Sequence, residues 1–148
     1  MYQNGCNAYR QSAANTVEEK PVIVIKLYGG ALKFIASAKR GIAEKSPRIR
    51  GENLSKVMAI VDELNCALDM ERGGKLASQL DSLYRFVMEQ LSIANMKNDL
   101  RALDQAEDIL VALKEGFEGA YDQIKNAGGT QQAVEAIRPA QEGVRFAL

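Results

Sequence analysis

Apolar residues recur at steps of three and four along four separate stretches of this chain. That spacing marks one face of an α-helix, and it limits the possible folds more than any other feature. The first stretch runs through Val24, Leu27, Tyr28, Ala31, Ile35, Ala38 and Ile42. It begins with four β-branched residues, Val22 to Ile25, which alone would read as a short buried strand. The period persists for about twenty residues, too long for a typical strand, so the spacing predicts a helix from about Pro21 to Glu44. Pro21 suits a first helical turn, where a missing N–H costs nothing. Gly29-Gly30 is a local weakness, at roughly 1 kcal/mol per glycine relative to alanine. It has two accounts: tight packing on a neighbouring helix, or room for a partner to reach the backbone.

Lys45-Ser46-Pro47 interrupts the pattern, with Ser46 and Pro47 as start signals. Leu54, Val57, Met58, Val61, Leu64 and Leu68 predict a second helix, about Gly51 to Leu68. Arg72-Gly73-Gly74 reads as a turn. Leu76, Leu80, Leu83, Tyr84, Val87, Leu91 and Ala94 predict a third helix, about Lys75 to Met96. Asn98 is a candidate cap for the fourth, and Asp99 suits the positive end of its dipole. Leu100, Leu103, Ala106, Leu110, Leu113, Phe117, Tyr121 and Ile124 carry that helix from about Asp99 to Asn126, and Gly128-Gly129 stops it.

Short connections make such helices antiparallel neighbours. The expected fold is all-α, an antiparallel up-down four-helix bundle over residues 20–127. Residues 1–19 are polar and read as a flexible N-terminal arm. Residues 128–148 form a C-terminal extension: Gln131 to Ile137 suits a short helix that Pro139 would end, and Val144, Phe146 and Leu148 either dock on the bundle or hang free.

Composition narrows the function. The chain has 148 residues, suiting one domain, with 19 basic and 19 acidic side chains. Without a basic excess it lacks the electrostatic footprint of a nucleic-acid binder. There is no histidine, which removes the commonest general base and metal ligand and excludes the Glu-x-x-His di-iron bundles. No Gly-x-x-x-x-Gly-Lys-Ser/Thr phosphate loop occurs, and no Ser, Cys or Lys has a visible base partner. Catalysis, cofactor and metal are therefore not expected. Cys6 and Cys66 match no metal or redox spacing and are expected as reduced thiols. The longest apolar run is too short to cross a bilayer, and the N-terminus lacks the pattern of a signal peptide, so the expected location is the cytoplasm.

Several helices carry more apolar residues than one face needs. Ile23, Ile25 and Phe34 lie outside the first stripe, Phe86, Met88 and Ile93 outside the third, and Ile109 and Val111 outside the fourth. A bundle helix needs about three apolar residues in seven. The surplus fits grooves open to another apolar segment. It equally fits a wider core or a surface for homodimerisation.

In order and spacing, several segments resemble the flagellin-specific export chaperone family, FliS. These are Asn7-Ala8-Tyr9-Arg10-Gln11 with Asn15-Thr16, then Leu27-Tyr28-Gly29-Gly30-Ala31 with Phe34-Ile35. Leu64 through Leu68-Asp69-Met70-Glu71-Arg72-Gly73-Gly74 follows, then Leu80-Asp81-Ser82-Leu83-Tyr84 and Leu91-Ser92-Ile93-Ala94-Asn95. Glu18-Glu19-Lys20-Pro21 departs from the family's usual Ser-Pro-Glu-Glu-Leu, and Gly29 and Gln79 stand where Asp and Asn are common. The resemblance implies a cytoplasmic four-helix-bundle chaperone, not an enzyme. Its client would be the disordered C-terminal segment of flagellin, held in apolar grooves. It also implies contacts with the flagellar export gate and regulatory proteins, and no insertion into a membrane; the chain is expected as a monomer or weak homodimer.

Eight residues are candidates for partner binding. Tyr9 would lie on the arm and cap the groove until the client arrives. Tyr28 and Tyr84 are either groove wall or core with a satisfied hydroxyl. Asn95 would bond a client backbone or close the third helix. Ile23, Phe34, Phe86 and Ile93 are the surplus apolar candidates.

Overall fold

A computed structural model describes residues 20–127 of the chain. The arm with Tyr9 and Cys6, and the C-terminal extension, lie outside the described residues. Four helices follow one another: α1 Lys20–Ala43, α2 Pro47–Cys66, α3 Met70–Lys97 and α4 Leu100–Asn126. Each packs on the next and α4 packs back on α1, so the antiparallel helices close into a ring. There is no strand among the described residues. The β-branched run Val22 to Ile25 is helical because Val24 joins the buried stripe of Tyr28, Ala31, Ile35 and Ala38, and burial outweighs propensity.

The helix ends are set by side chains. Ser46 caps α2, its hydroxyl accepting from the Ile49 N–H at 3.3 Å, with Pro47 in the first turn. The second helix thus starts four residues before the expected Gly51, because cap and proline outweigh a glycine in the next turn. Asp69 caps α3, accepting from the N–H groups of Glu71 and Arg72 at 3.2 and 3.0 Å. A short helical segment from Met70 therefore precedes the expected start at Lys75, and the break expected at Arg72-Gly73-Gly74 falls at Gly74, which leaves helical geometry (φ 51°, ψ −127°) and kinks α3. Asn98 does not cap α4: it ends α3 in the left-handed conformation, and Asp99 takes the cap by accepting from Arg101 and Ala102. Lys45 closes α1, also left-handed, with the bond pair Ser46 N–H to Gly41 C=O and Lys45 N–H to Ile42 C=O.

Twenty buried residues from all four helices form one apolar cluster. Leu54, Val57, Val61 and Leu64 of α2 face Leu91, Val87 and Leu80 of α3 and Leu103, Ala106 and Leu110 of α4 across it. Shortening one of these leucines to alanine costs about 2–5 kcal/mol. Gly41 of α1 marks a close backbone approach, where a Cβ would lie 2.6 Å from the Arg50 amide nitrogen. Gly29 and Gly30 are different: a Cβ there meets only Lys114 Cε at 3.8 Å and Ile60 Cδ1 at 3.6 Å, ordinary contacts, so tight packing does not explain them.

Cys66 is buried as the small core residue expected. Pro21–Ala43 is long and apolar enough by composition to cross a membrane, although its longest unbroken apolar run is short. Val24, Tyr28, Ala31, Ile35 and Ala38 form its core-facing stripe, each at most 2% exposed.

Candidate functional site

Two open clefts lie on opposite seams of the ring. The α1–α4 cleft has a volume of about 340 Å³ and is walled by Val22, Ile25 and Lys26 of α1 and Glu118, Tyr121 and Asp122 of α4. The α2–α3 cleft, about 310 Å³, is lined by Val61, Asp62 and Asn65 of α2 and Tyr84, Arg85 and Met88 of α3. Each combines apolar walls with a charged or amide rim. This division suits an amphipathic segment, whose apolar side chains fill the cleft while its polar groups meet the rim.

The rim of the α2–α3 cleft is ordered. Asp81 accepts from Asn65 Nδ2 at 2.9 Å and from Arg85 Nε at 3.0 Å, linking the two helices. Partial burial pushes the Asp62 carboxyl above its ordinary range. At the other seam, Lys114 and Glu118 pair at 2.5 Å along α4, next to the Tyr121 cleft.

Beneath the clefts lies a polar contact in the core. The Tyr28 and Tyr84 hydroxyls hydrogen-bond to each other, and the residues are 0% and 1% exposed. Burial raises both phenols: Tyr84 reaches about 12, eased by the Tyr28 hydroxyl, and Tyr28 rises further, with the Tyr84 charge adding to burial. The Tyr28 ring also stacks on Phe117 of α4, with centroids 5.6 Å apart and planes 24° apart. Tyr28 thus joins α1, α3 and α4, while Tyr84 doubles as a wall of the α2–α3 cleft.

The other candidates disperse. Phe34 is half-buried against the core, with the Lys56 ammonium 5.2 Å from its ring centre. Ile93 packs partly on the core and Ile23 is half-buried. Phe86 is 39% exposed, beside Leu83 at 37%. At about 3.6 residues per turn, these two fall on the flank of α3 away from Arg85 and Met88. Asn95 accepts from Arg50 Nε at 3.2 Å, tying α3 to α2. Tyr9 lies outside the described residues. The clefts also recruit Val22, Lys26, Asp62, Asn65, Arg85, Glu118, Tyr121 and Asp122, none of which the sequence singles out for partner binding. Ile25 and Met88 stood among the surplus apolar residues, but spacing does not say which of these faces a seam. Among the described residues no group of three or more His, Cys, Asp or Glu side chains is placed to hold a metal ion.

Four helices closed into a ring with grooved seams make an all-α four-helix bundle. The chain belongs to a chaperone family, not an enzyme family: the family model described as "Flagellar protein FliS" matches residues 2–124. The chain is similar to the flagellar secretion chaperone FliS of Vibrio cholerae, with 36% identity over 69% of this chain and 72% of that protein. It is 31% identical to the flagellar secretion chaperone FliS of Bacillus subtilis, over 80% of this chain and 86% of the relative. With the one of Salmonella typhimurium it shares 30% identity, over 88% and 96%.

Proposed function

We propose that this protein is a cytoplasmic flagellar secretion chaperone that holds the disordered C-terminal segment of flagellin in its interhelical clefts. Holding it there would block premature polymerisation and keep the subunit competent for export. The observation that carries the reading is the pair of apolar-walled, polar-rimmed clefts in a bundle whose relatives are named flagellar secretion chaperones. A disordered segment loses backbone entropy when it orders, so its contact must be long and apolar to offset that loss. Clefts on opposite seams make such a contact by letting one extended segment wrap the bundle. Binding free energy suffices for this work, and no nucleotide or metal is needed. Other flagellar components, the export gate and regulators among them, are the further partners this role implies.

Titrating the full chain with a flagellin C-terminal peptide in a sedimentation experiment tests the reading. A monomer that becomes a one-to-one complex is expected. A peptide-indifferent dimer would point instead to a self-association module. Ile25→Glu and Met88→Glu place a charge in one cleft each and should weaken the complex while helical content is kept. Phe86→Glu and Ile23→Glu ask the same of the more exposed candidates. Deleting residues 2–15 should speed association if Tyr9 caps a cleft; an unchanged or slower rate would remove the cap.

A further inference from the structure

The end of the bundle farthest from the α1–α4 cleft carries a feature the chaperone reading does not use. There the α3–α4 turn holds Met96, 81% exposed, and Leu100, 45% exposed, on either side of the left-handed Asn98. The turn is anchored from below, where Arg50 of α2 donates to the side-chain oxygens of both Asn95 and Asn98. The α1–α2 connection lies at the same end, because Gly41 packs on Arg50.

Positive charge is in excess at this tip. Arg40, Lys45, Lys97 and Arg101 are exposed, and none has a carboxylate partner among the described residues. Glu52 pairs with Arg48, while Glu44 and Asp99, which accepts from the amides that open α4, keep their negative charges. In a chain with zero net charge, four unpaired cations thus stand against two unpaired carboxylates beside two exposed apolar side chains.

We infer that this tip is a docking surface for an anionic lipid bilayer, Met96 and Leu100 entering the headgroup boundary while the four cations meet lipid phosphates. Its form favours a bilayer over an acidic protein. The apolar pair projects from a convex turn, which a deformable lipid surface can accept, whereas a protein partner would need a matching cavity. The contact is peripheral: the segment between Met96 and Leu100 is a turn, and nothing in it spans. The inference stands whether or not the clefts take flagellin.

Co-sedimentation of the full chain with vesicles tests it. Vesicles of equal parts phosphatidylglycerol and phosphatidylcholine should carry the protein down, more weakly as salt rises, and pure phosphatidylcholine should not. Each cation removed should lower partitioning about five-fold, so Lys97→Gln with Arg101→Gln lowers it roughly twenty-five-fold. Met96→Ser with Leu100→Ser should weaken it as well, with circular dichroism unchanged. If the Leu100 change unfolds the chain, Lys45→Gln and Met96→Ser alone provide the same readings. Failure to pellet with anionic vesicles overturns the inference. So does pelleting that ignores both sets of changes. Binding to poly-glutamate that needs the cations but not Met96, without vesicle binding, would assign the tip to an acidic protein instead.

Discussion

Tyr28 of α1 and Tyr84 of α3 share one hydrogen bond through their hydroxyls in the centre of the bundle, and nearly every other side chain around them is apolar. A buried hydroxyl that loses its partner costs about 1–3 kcal/mol, whereas removing both partners can be nearly neutral. Tyr28→Phe and Tyr84→Phe should each destabilise the protein by about that amount, and the double variant by clearly less than their sum. Urea denaturation of the four proteins measures the coupling. Additive losses would show that each hydroxyl is satisfied some other way.

The same pair sets an alkaline limit. The usual tyrosine value is 10.0, and burial raises Tyr84 to about 12 and Tyr28 further. Below pH 10 both states keep the phenolic protons, and the stabilisation is complete. Above it the unfolded chain releases them first, so stability falls as pH rises. Helical content should therefore collapse above pH 10, together with a cooperative rise in tyrosinate absorbance. In the doubly phenylalanine-substituted protein the loss should be shallower.

Glycines should divide by environment. Gly41→Ala forces a Cβ to within 2.6 Å of the Arg50 amide nitrogen and should cost about 1–3 kcal/mol as α1 and α2 move apart. Gly116 and Gly119 lie in α4 with open space around the Cβ position. Alanine at either should raise stability by up to about 1 kcal/mol through helix propensity. Thermal unfolding of the three variants checks both signs.

Helix caps offer a fourth test. Asp69 and Asp99 each accept from two backbone N–H groups at the starts of α3 and α4. Replacing either by alanine should cost about 1 kcal/mol, and asparagine should recover most of it. Hydrogen exchange should quicken in the first turn of the altered helix only; a change spread over the bundle would indicate a wider role for the carboxylate.

The stripes made the bundle legible in the sequence, since burial of one face at helical spacing is a local signal. Helix starts were less so: the start of α2 hung on whether Gly51 or the Ser46-Pro47 pair prevailed, and Gly74 looked like a turn yet bends a helix that Asp69 had already begun. The clefts were least legible. Ile25 and Phe34 are both surplus apolar residues of α1, yet one walls a cleft and the other packs on the core under Lys56. That difference depends on which neighbour each helix meets, and period alone does not encode it. The close approach at Gly41 is hidden for the same reason, because it depends on where α2 begins.

The tyrosine contact also discriminates between ways of assembling the same four stripes. Sliding α1 by one turn brings Val24 or Ala31 opposite Tyr84, and an apolar stripe tolerates that shift with little complaint. The Tyr84 hydroxyl does not, because it would then face only hydrocarbon. One pair of oxygens therefore acts as a register key: it adds little to the depth of the native state, but it raises the slipped bundles that lie beside it.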